Sequence, residues 1–206
     1  MRRVEFGLFF GVLPVFLALV MPPRALFPVL LAMTGVGLWL LQRTEGFHWR
    51  DLTRGALDLR QALTFALLVA AASGVALALW APGAAFGLIR ARPGFFLVIV
   101  VLYPILSAFP QEVLFRALWF RRYGAMLPGG WPGLVLNGAA FALAHLMFWN
   151  GVVMAMTFAG GVIFAWVYQR QGSFRQAVLL HSVAGWVLFG MGLGVWFYLG
   201  NVTRPF

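Results

Sequence analysis

Beyond Asp58 the chain holds one acid, Glu112, and two histidines, His145 and His181. All three stand in otherwise apolar stretches. An ionisable group in hydrocarbon is costly unless it is paired or faces a wet cavity, so each marks a functional site by default. A carboxylate and two imidazoles on three separate segments are the parts of a buried acid–base site. Glu112 and His145 would flank and activate a water, and His181 would polarise a carbonyl.

Glu112 follows Pro104 and Pro110, which are expected to break and restart the helix carrying it, leaving the carboxylate near a helix start where the dipole favours it. Arg116 lies one turn on, and the plain alternative is an intrahelical Glu112–Arg116 pair that neutralises both charges. Glu112 and His145 are, however, equidistant in sequence from Pro128 and Gly129, the centre of a turn at 127–130. An antiparallel helix pair would return them to similar depth, so that they could meet. His181 lies roughly 9 Å along its helix from Arg175, and His145 roughly 16 Å from Leu134, so joining the two rings takes tilt or side-chain reach.

Other chemistries fit less well. The chain has no cysteine, which excludes disulfides, thiolate metal sites and a cysteine nucleophile. Asp51 and Asp58 share one polar loop, so an aspartyl dyad within the membrane has no pair to use. No HExxH occurs, and Ser182 follows His181 directly and so points elsewhere. No cofactor is expected, with zinc on Glu112, His145 and His181 as the alternative, since two His and one Glu are ordinary catalytic zinc ligands.

These residues need elements to hold them. The 206 residues are 63% hydrophobic and 10% charged, with mean hydropathy +0.91, which excludes an ordinary soluble domain. Apolar runs at about 6–20, 25–41, 61–80, 94–120, 131–149, 152–168 and 177–199 predict an all-α, polytopic transmembrane bundle of about seven helices, one membrane-embedded domain spanning 1–206. The first run contains Pro14, lacks a small-residue cleavage site, and reads as a retained helix. The net charge of +10 comes from fifteen arginines and no lysine against five acids. Those arginines cluster at the ends of apolar runs, so they report membrane topology and not nucleic-acid binding. Arg2, Arg3, Arg43, Arg50, Arg54, Arg60, Arg116, Arg121, Arg122, Arg170 and Arg175 fall on one side, and Arg24, Arg90, Arg92 and Arg204 on the other. The richer side predicts a cytoplasmic amino terminus, in what is expected to be a bacterial inner membrane. The segment 42–60, with His48 beside Trp49, reads as an amphipathic headgroup-level stretch without chemistry. Trp80, Trp131 and Trp149 are expected in aromatic belts. Gly190 and Gly194 form a GxxxG that predicts close helix packing.

At its three titratable residues the chain resembles the CPBP (CAAX protease and bacteriocin-processing, or Abi) family of intramembrane proteases, over a protease-like core at 94–190. The family pattern is EExxxR, FxxxH and HxxxN on successive transmembrane helices. Here these read Gln111-Glu112-Val113-Leu114-Phe115-Arg116, Phe141-Ala142-Leu143-Ala144-His145 and His181-Ser182-Val183-Ala184-Gly185. Gly160-Gly161 and the run 168–173 also look like the family's approach to its last motif. Two positions depart. Gln111 stands where the family carries its usual water-activating glutamate, and Gly185 where it carries an oxyanion-stabilising asparagine.

The resemblance implies a glutamic-type intramembrane endopeptidase acting on a membrane-embedded or lipid-anchored protein substrate among membrane lipids. Glu112, His145 and His181 would be catalytic, with Gln111 and Arg116 positioning substrate or carboxylate. Gln111 and Gly185 motivate a second reading, a catalytically inactive scaffold or immunity protein that binds membrane-protein tails. A third, a proton-coupled transporter using the same groups as a relay, lacks the internal repeat that would support it.

Overall fold

The computed structural model describes residues 1–205 and is helical along most of its length. Long helices stand where the apolar runs predict them: α1 (residues 2–19), α2 (Leu26–Gln42), α3 (Leu59–Trp80), α4 (residues 93–122), α5 (Gly130–Leu143), α6 (Gly151–Arg170) and α7 (Phe174–Met191). Five of them, α2 to α6 with their adjoining turns, are long and apolar enough to cross a bilayer. The other two carry more polar residues, Arg2, Arg3 and Glu5 in α1 and Arg175, Gln176 and His181 in α7. The polarity is inverted relative to a soluble bundle: α4 exposes Leu97, Val101 and Ile105 while Glu112 and Arg116 are wholly buried. That is the arrangement hydrocarbon demands, and the chain is an integral membrane protein.

The prolines do not break α4. A wide π turn at Pro104–Ala108 closes with Phe109 N–H on Pro104 O, and Pro110 follows at once. The first helix repeats the device, with a π turn at Leu8–Val12, Leu13 N–H on Leu8 O, and then Pro14. Proline lacks an N–H and its ring crowds the carbonyl four residues back; widening the preceding turn moves the backbone aside. Glu112 therefore sits inside a continuous helix, not near a fresh start, and a second π turn, Val113–Leu118, follows it directly.

The last span also differs from expectation. α7 stops at Met191, where Gly192 takes φ of 116°, and a separate short helix runs over Gly194–Phe197. Gly190 and Gly194 thus share no helix face: Gly190 packs against Phe96 and Gly194 against Phe189. A close helix crossing lies elsewhere, where a Cβ on Gly161 of α6 would stand 2.9 Å from the Gly138 Cα of α5.

At one end of the bundle the polar segments interlock. Arg122 Nε donates to Glu5 Oε2 at 2.8 Å, and Arg121 Nη2 to Asp51 Oδ2 at 2.6 Å. The 42–60 segment is tied to the start of α7. Gln176 donates to Asp58 O and accepts from Asp58 N–H, each at 2.9 Å, and Ser173 Oγ donates to Ala56 O at 2.9 Å. That clamp fixes α7 little more than one turn before His181. His48 is exposed, its N–H on Asp51 Oδ2 at 3.2 Å. At the other end Arg204 reaches the Met21 carbonyl. Trp80 and Trp131 are exposed at helix ends.

Candidate active site

Glu112 of α4 and His181 of α7 meet in the core, Oε1 to Nδ1 at 2.8 Å. The second oxygen, Oε2, lies 3.0 Å from Arg116 Nε one turn on. That contact is a charge pair lying off the axis a hydrogen bond needs. Arg116 Nη1 instead donates to Asn137 Oδ1 at 3.1 Å, and Asn137 Nδ2 to Phe115 O at 2.8 Å. The guanidinium lies 4.9 Å from the Phe141 ring centre and 5.5 Å from that of Phe164. The same two rings flank His181, Phe164 stacked at 5.1 Å and Phe141 edge-on at 5.5 Å. The intrahelical Glu112–Arg116 pair exists, but it is one arm of a cluster spanning α4, α5, α6 and α7.

His145 stands just past the end of α5, with Nδ1 2.8 Å from Phe141 O. A carbonyl only accepts, so Nδ1 carries the proton and Nε2 keeps its lone pair. The His145 ring is 4.7 Å from the Phe141 ring, so Phe141 packs against both imidazoles. In place of the expected Glu112–His145 meeting, Glu112 gives its oxygens to His181 and Arg116, and His145 is tied back to its own helix. Counting residues from the 127–130 turn fixes height along a helix but not the direction a side chain leaves it.

A cavity of about 320 Å³ opens beside this cluster, walled mostly by apolar side chains from α1, α2, α4 and α7. Its polar lining includes Tyr103, Ser107, Gln111 and His145. Gln111, one residue before Glu112, thus faces the cavity, and its Nε2 donates to Ser107 Oγ at 2.9 Å. Gly185 also lines it, one turn after His181. Among the described residues no three of His, Asp and Glu are grouped to hold a metal ion.

Residue-type reasoning on ionisable groups passed over Tyr103, Ser107, Asn137 and the two phenylalanines. The signal was spacing. Residues 103, 107 and 111 on α4, 137 and 141 on α5 with 145 just past its end, and 181 and 185 on α7 are four apart, so each set follows one helix face. Asn137, wholly buried, is also the only asparagine between Glu112 and His145.

Fold and site define an all-α integral membrane protein with a buried carboxylate–imidazole pair beside an apolar cavity. Residues 93–187, a little under half of the chain, match the family model of the type II CAAX prenyl endopeptidase Rce1-like proteins. The matched stretch contains all three motifs, and over it the chain is similar to the CAAX-type membrane proteases. No curated protein and no solved structure matches the chain.

Proposed function

We propose that this protein is an intramembrane endopeptidase that hydrolyses a peptide bond beside the hydrophobic or lipidated tail of a membrane-associated protein. The observation that carries this reading is the Glu112–His181 pair, 2.8 Å apart and shut away from solvent beside a cavity that His145 lines. With both oxygens engaged, Glu112 works through His181: it holds the ring where it can polarise the scissile carbonyl. His145 takes a proton from the attacking water at Nε2 as the new C–O bond forms, and returns it to the leaving amine as the C–N bond breaks. Gln111, with one Nε2 hydrogen on Ser107, keeps Oε1 for a substrate N–H, and Arg116 holds Glu112 in place. The apolar walls receive the tail. The end that gathers Arg54, Arg121, Arg122 and Arg175 faces the cytoplasm of a bacterial inner membrane.

Purified protein in lipid vesicles, given peptides with hydrophobic or lipidated carboxyl-terminal tails, tests this by mass spectrometry of the products. Wild type is expected to cleave, and His145→Ala to lose about 100-fold or more in rate. Peptide binding without cleavage by wild type would favour the scaffold reading instead.

A further inference from the structure

Gly185 has no side chain because Tyr103 occupies the space one would need. A Cβ built on Gly185 would lie under 3 Å from three carbons of the Tyr103 ring. That ring comes from α4, and its centre is 5.9 Å from that of His181. Tyr103 thus stands against both the imidazole and the position where the motif would otherwise place an amide side chain.

Its hydroxyl lies at the start of a polar track along α4. Gln111 Nε2 donates to Ser107 Oγ at 2.9 Å, and the Tyr103 hydroxyl lies within reach of Ser107. A serine oxygen accepts two hydrogen bonds and donates one. A Ser107 that accepts from Gln111 can therefore give its own hydrogen to the Tyr103 oxygen, which leaves the phenolic hydrogen to the cavity that Tyr103 lines. A hydroxyl that accepts one hydrogen bond donates the next one more strongly.

Resting on the proteolytic reading above, we propose that Tyr103 is a catalytic residue, its O–H donating to the oxyanion that forms on the scissile carbonyl. It joins His181 as the second donor, and Gly185 is the opening that lets the ring reach its place. Ser107 and Gln111 are positioning residues that set the direction of the phenolic hydrogen. No proton leaves Tyr103: the bond strengthens as charge develops on oxygen and relaxes when the amine departs.

The test is Tyr103→Phe, which keeps the ring against Gly185 and removes only the oxygen. In vesicles, with the peptide that wild type cleaves best, kcat is expected to fall about 100-fold with KM unchanged. The phosphonamidate analogue of that peptide, which presents a tetrahedral anion, is expected to lose affinity by a similar factor, a split that a merely structural role does not produce. Ser107→Ala should lose less, and adding it to Tyr103→Phe should cost little more. A Tyr103→Phe variant with kcat within about threefold of wild type, or one that loses rate through KM alone, overturns this inference and leaves the proteolytic reading standing. Absence of cleavage by wild type overturns both.

Discussion

Glu112 Oε1 lies 2.8 Å from His181 Nδ1 across the contact between α4 and α7, the carboxylate wholly buried and the imidazole nearly so. Because Arg116 takes the other oxygen, one carboxylate serves two cationic or protonatable partners on different helices. An intrahelical pair alone would tie nothing to α7. This shared carboxylate makes the cluster a joint between the helices that carry the three motifs.

Glu112→Gln strands the Arg116 charge in the core. Losing one partner of a buried pair costs about 3–5 kcal/mol, and thermal unfolding in detergent should register it as a marked fall in Tm. Adding Arg116→Met removes the orphaned charge, so the double variant is expected to regain most of the lost stability and none of the cleavage.

Asn137→Leu withdraws the acceptor for Arg116 Nη1 and the donor to Phe115 O. Two buried polar groups are left unmatched, at a cost of about 1–3 kcal/mol each. Unfolding should come earlier, and cleavage should slow because Arg116 no longer holds Glu112 in register. An Asn137→Leu protein with unchanged Tm would contradict the cluster as described.

Two adjacent glycines should respond unequally. A Cβ on Gly161 meets the Gly138 Cα at 2.9 Å and the Phe141 Cβ at 3.0 Å, whereas one on Gly160 meets only the Phe164 ring edge at 3.4 Å. Gly161→Ala is expected to cost about 1–3 kcal/mol by overpacking and to displace Phe141, which packs against both imidazoles. Gly160→Ala should be close to neutral, as paired unfolding curves would reveal.

At the charged end of the bundle, the hydrogen bond from Arg122 chiefly holds the Glu5 carboxyl below its ordinary value of 4.5. A carboxyl with a depressed folded value contributes stability that is fully present above 4.5 and is lost as pH falls through that depressed value. Wild type should therefore unfold at higher temperature than Glu5→Gln at neutral pH. The gap is expected to close as the pH is taken below 4.5, and a gap independent of pH would count against the pairing.

The spans were legible because hydrocarbon forces long apolar runs bounded by arginine, and Glu112, His145 and His181 stood out because so few charges enter those runs. The partnering of Glu112 was not. Sequence separation gives a residue's height on a helix, but its azimuth depends on the π turns that Pro104 and Val113 open, and those shift every side chain after them. Tyr103 escaped notice because a tyrosine in an apolar helix is ordinary and its meaning lies in Gly185, on another helix. The GxxxG of Gly190 and Gly194 misled because the left-handed turn at Gly192 separates its two halves.

The role of the buried carboxylate is tested most directly by the cleavage rate in lipid vesicles of the Glu112→Gln, Arg116→Met protein beside wild type, on peptides with hydrophobic or lipidated tails, after both have been shown folded by unfolding curves. Wild type is expected to give discrete products, and the double variant a rate at least about 100-fold lower. Equal processing by the two proteins would contradict that role.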